Sequence, residues 1–246
     1  MSQSINANDL VATSSPELQE ASGLCSYWTL SGDANISSLI EGIIEAELPD
    51  DFFPPTPTRA KAVTRAILGL REHRRLVRAL DGGKGYCVVR EVANETTAND
   101  YVPELTIFLE KAGEGQVNVT YDDPTHPDVQ VIADVVLSNL QTLNHEDMAV
   151  WLQSILGKLD MVPLRATGGI YFVPQRHAET WQQVRALVSG ATNHTIFAIP
   201  MMPAGDTFEA LADAIAREAD SAMALVRKEL DDGVDGKPLG VRALKG

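Results

Sequence analysis

The chain has 246 residues, 44% hydrophobic and 22% charged, and its 34 acidic against 20 basic side chains give a formal charge of -14. That length buries a sizeable core in one large domain or two small ones, and the negative charge favours solubility while repelling nucleic acid and anionic membranes at long range. No run of about 18 apolar residues occurs, which excludes a helical membrane span.

The start, MSQSINANDLVATSSPELQE, lacks the basic and apolar regions of a secretion signal. Residues 1–20 are expected to be a disordered leader, and the location cytoplasmic. Both cysteines, Cys25 and Cys87, sit in apolar strand-like runs and pack as small hydrophobes. A disulfide is disfavoured in a reducing compartment, and two cysteines are too few for a cysteine-rich zinc site.

Residues 21–123 read as an N-terminal α+β part. ASGLCSYWTLSG alternates as a first strand. Asn35 or Asp33 then caps a helix, ISSLIEGIIEAEL, with Ile36, Leu39, Ile40, Ile43, Ile44 and Leu48 on one face. The connector PDDFFPPTPT is too proline-dense for a helix and ends on Thr58, a suitable cap. From there the pattern RAKAVTRAILGLREHRRLVRALDGG predicts one basic helix over 59–78, closed by Gly82 and Gly83. Its core stripe includes Val63, Ala66, Ile67, Leu70 and Val77. Lys61 and Arg65 lie away from that stripe, and Arg71, Arg75 and Arg78 form a flank. The segments GYCVVREVA, ELTIFLEKAG and QVNVTYDD follow as an antiparallel meander with one wet and one dry face.

Residues 124–230 form the C-terminal α+β part. Thr125, Pro127 and Asp128 open one helix and Asn144 a second, HEDMAVWLQSILGKLD. MVPLRAT and GIYFVP make a hairpin split by Gly168-Gly169. The helix ETWQQVRALVSG, the strand HTIFAIPMM and a helix from Asp206 to about Leu230 complete the part, and 231–246 reads as a flexible tail. The sum is an α+β fold of antiparallel hairpins and a meander packed with about six helices.

The glycine pairs are corners. GGKGY and TGGIYF both lead into strands, whereas a phosphate-cradling loop leads into a helix N-terminus. His73, His126, His145, His177 and His194 show no HExxH spacing, and no GxSxG elbow is present. The one grouping of ligand types is YDDPTHPD, with Asp122, Asp123, His126 and Asp128; turns ahead of helices carry such residues for conformational reasons too. No cofactor or catalytic residue is therefore expected, and a metal-dependent enzyme at that turn is the third functional reading.

In the last helix Phe208, Ala212, Ile215, Ala219, Ala222 and Val226 repeat at spacings of four and three, a coiled-coil period with small residues that allow close approach. Burial within the chain competes with an oligomer contact for this stripe. GGIYFVP is similar to a strand found in an uncharacterised family of bacterial and phage-associated proteins, a domain of unknown function, in which helix, hairpin and helix recur in this order. The similarity covers about Met148 to Pro200, with an echo in RRLVRALDGG. It implies a phage-linked or mobile-element-linked accessory protein and carries over no site residue.

The expectation is a non-catalytic interaction or assembly protein, self-associating or bound to a protein partner through the basic flank and the C-terminal stripe, with no membrane role. The runner-up is a nucleic-acid-binding accessory factor using the basic helix. Helix, helix and hairpin from Asp128 to Pro174 also match a winged-helix order, although HEDMAVWLQSILGKLD is too acidic for a recognition helix.

Overall fold

A computed structural model describes residues 21–93, 99–166 and 169–234. The expected leader, Gly168 and the tail beyond residue 234 lie outside the described residues.

The elements begin with β1 (Gly23–Thr29), β2 (Ala34–Asn35), α1 (Ile36–Glu45) and α2 (Arg59–Leu68). The strands β3 (Arg75–Ala79), β4 (Gly85–Ala93), β5 (Asn99–Gly113) and β6 (Gln116–Tyr121) follow. Next come α3 (Pro127–Asn139), β7 (Thr142–Leu143), α4 (His145–Lys158), β8 (Val162–Pro163) and β9 (Tyr171–Pro174). The last three are α5 (Ala178–Ala191), β10 (Thr195–Met201) and α6 (Gly205–Val234), so α6 runs on into the stretch expected as tail. All strand pairs are antiparallel, and the fold is α+β. Among the described residues no helix is long and apolar enough to cross a membrane.

Two compact units divide the chain, one taking Met1–Gly32, Gly42–Phe52 and Met148–Gly246, the other Asp33–Glu41 and Phe53–Asp147. The second is built on the meander β3-β4-β5-β6. Its dry face presents Val77, Val88, Leu105, Ile107 and Val117 to Ala62, Val63, Ala66 and Ile67 of α2 and to Ile132 and Val136 of α3. The Asn139 side-chain amide donates to the Ala62 carbonyl at 3.0 Å and ties α3 to α2.

The predicted helix over 59–78 is instead a shorter helix followed by a strand. Thr58 caps α2 as expected, but the helix stops at Leu68 with Gly69 as its C-cap. Glu72 and Arg75 exchange both backbone hydrogen bonds at 3.1 Å, and Arg74 between them has φ 61, so the chain reverses in a tight turn. RLVRA then pairs with β4, Val77 opposite Val88. Over five residues an inward Arg75 and Val77 satisfy a period of two as readily as one of 3.6, and the free edge of β4 decides. Gly82 and Gly83, at φ 71 and 68, turn β3 into β4 instead of ending a helix. Gly85 is obligatory. Its φ is 144, and a Cβ there would lie 1.9 Å from the Ile107 carbonyl oxygen.

In the first unit the sheet order is β10-β1-β9-β8, so the N-terminal strand sits between two strands from the C-terminal part. Leu24, Val173 and Ile196 are buried beside Trp181, Val184 and Val188 of α5. The Trp181 indole N–H donates to Ser26 Oγ at 2.8 Å, and Ser26 donates to the Phe197 carbonyl at 2.9 Å. This buried relay satisfies every polar atom that the aromatic anchor brings in. The Trp151 indole N–H likewise donates to the Phe52 carbonyl at 2.8 Å. Because β9 is an interior strand, the β8–β9 hairpin is not the free wing that a winged-helix order requires.

Candidate association surfaces

Helix α6 is rich in alanine, which favours helix without tertiary help. Its 30 residues span about 45 Å at about 1.5 Å per residue. One face docks against β8: Ala214 is only 1% exposed, and Arg217 donates to the Leu164 carbonyl at 3.0 Å while pairing with Asp213 one turn earlier. A second face, turned about 120° from Ala214, carries Phe208, Ala212, Ile215, Ala219, Ala222 and Val226, every one exposed. Phe208, Ile215 and Val226 are 57%, 54% and 55% exposed, and Leu230 continues the row at 61%. An apolar row of this length left open to water is unusual for a monomer.

A second apolar surface lies in the same unit and was not picked out in the sequence. Tyr27 stacks on Phe197 with ring centroids 4.8 Å apart, beside Cys25 and the exposed Ile199, on the sheet face turned away from Leu24 and Ile196. The signal was present: in HTIFAIPMM both alternate sets, Ile196 with Ala198 and Phe197 with Ile199, are apolar. Burial pushes the Cys25 thiol pKa up, so it stays protonated and poorly nucleophilic.

Lys61, Arg65 and Arg75 of the basic stretch are neutralised within their own unit. Lys61 and Arg65 both pair with Asp147, a buried carboxylate in the first turn of α4, and Arg65 also lies 3.7 Å from Asp33. Arg75 is 9% exposed and bridges Glu104 (2.8 Å) and Asp128, while Glu104 also accepts from Arg90. Burial alone would lower the Arg75 pKa; Asp128 and Glu104 outweigh it and hold the guanidinium charged. Arg71 is exposed, and Arg78 lies over the Tyr101 ring, 5.8 Å from its centroid. Arg75 is thus turned inward, away from Arg71 and Arg78, and the three do not form the expected flank.

The acidic turn is equally committed. Asp122 accepts from Thr106, whose hydrogen bonds hold its carboxyl below the ordinary value. Asp123 accepts from the Thr125 hydroxyl at 2.7 Å, an interaction that lowers its pKa too. His126, not Thr125, caps α3 by accepting from the Asp128 amide at 3.2 Å, and Asp128 faces Arg75. Among the described residues no three or more His, Cys, Asp or Glu side chains converge to hold a metal ion.

A family model matches residues 23–244, nearly the whole of both units. The chain belongs to DUF6744, a family of unknown function. No curated protein and no solved structure matches it. DUF6744 membership thus names the lineage of this fold and leaves its role to the surfaces just described.

Proposed function

We propose that this DUF6744 chain is a non-catalytic interaction or assembly component that self-associates, with α6 as its contact element. The observation that carries the reading is the exposed row from Phe208 to Leu230, set apart from the face that Ala214 docks. Burying a Phe, Ile or Val side chain from water gains about 1.5–3 kcal/mol, and several on each of two helices work against an association cost of about 4–15 kcal/mol. A role without chemistry of its own is supported by where the reactive groups are spent: Asp122, Asp123 and Asp128 in turns and ion pairs, Cys25 as a protonated thiol. The likeness of GGIYFVP to a strand of phage-associated proteins supports placing the component in a phage-linked or mobile-element-linked bacterial system.

Light scattering coupled to size exclusion, at several concentrations and salt levels, tests the reading. The expected mass is a multiple of the 26.6 kDa chain that persists in high salt, because the contact is apolar. A monomer under every condition overturns it.

A nucleic-acid-binding role is the second reading, favoured by the exposure of Arg71, Arg74 and Arg78 around the β3 turn and by Tyr101 beneath Arg78. A gel-shift titration separates the two. Binding that weakens steeply with salt and is lost on changing Arg71 and Arg78 to Glu establishes it, and no shift at low salt removes it.

A further inference from the structure

We draw no further inference here: the strongest candidate, the apolar sheet face around Tyr27, Phe197 and Ile199 in the first unit, carries none because nothing among the described residues shows what covers it.

Discussion

The stretch from Arg59 to Ala79 and helix α6 share two features in sequence, apolar residues at helical spacing and charges gathered to one side, yet the fold treats them oppositely. In the first, the chain breaks into a helix and a strand, and Lys61, Arg65 and Arg75 each meet a carboxylate of the same compact unit. In the second, a single uninterrupted helix docks through Ala214 and leaves its apolar row exposed. Charge clustering alone therefore says little about a binding surface when buried counter-charges such as Asp128 and Asp147 stand nearby. The apolar row of α6 meets no such internal answer among the described residues.

The largest expected effect lies in the first region. Replacing Arg75 by Ala strips Asp128 and Glu104 of the guanidinium that links them. It leaves a carboxylate buried without its partner, at a cost of about 3–5 kcal/mol. Arg75→Lys should recover only part, because one ammonium does not reproduce a fork that reaches two carboxylates. Urea unfolding measures both. A loss below about 1 kcal/mol for Arg75→Ala would mean that the network is incidental and that the contrast with α6 is overdrawn.

Within α6 two adjacent positions sharpen the comparison. Ala214→Asp places a charge on the docked face and should destabilise the folded chain by about 1–3 kcal/mol. Ile215→Asp, one residue on, should change the stability of the isolated chain by no more than about 0.5 kcal/mol while abolishing self-association. Thermal melts at low concentration and light scattering at high concentration separate the two outcomes. If Ile215→Asp instead unfolds the chain, the row is a folding element and not a contact.

The contrast also shows which parts of the molecule sequence can expose. Local rules served wherever one signal was unopposed: Asn35 and Thr58 cap helices, GYCVVREVA and its successors form a meander, and the alanine-rich 4-3 period marks α6. They failed at RLVRA, where five residues fit either period and the tight turn at Arg74 depends on pairing with β4. Nothing local announces that β1 inserts between β10 and β9, since that pairing joins residues about 170 apart. A division of the chain at residue 124 leaves β1 and β10 on opposite sides of the cut. For the same reason Asp128 looked like a metal candidate: its counter-charge, Arg75, is distant in sequence and assigned by its pattern to a helix face.

The smallest effect to look for is in acid, and it concerns three exposed aspartates outside the Arg75 network. Hydrogen bonds from Thr106 to Asp122, from Thr125 to Asp123, and from Arg176 and then His177 to Asp160 hold all three carboxyls below the ordinary aspartate value. Each is therefore ionised more readily in the folded chain than in the unfolded one. The unfolded state binds more protons as pH falls. The stability these groups contribute is complete above the unfolded pKa, about 3.9 for aspartate, and is lost as pH drops through the lowered folded values. All three are exposed, so each contribution is small. Midpoints of thermal unfolding measured from pH 7 to pH 3 should fall for the wild-type chain below about pH 4. The fall should be shallower for Asp122→Asn with Asp160→Asn, which starts from a lower midpoint at neutral pH. Parallel profiles for the two chains would show that these turns do not couple protonation to folding.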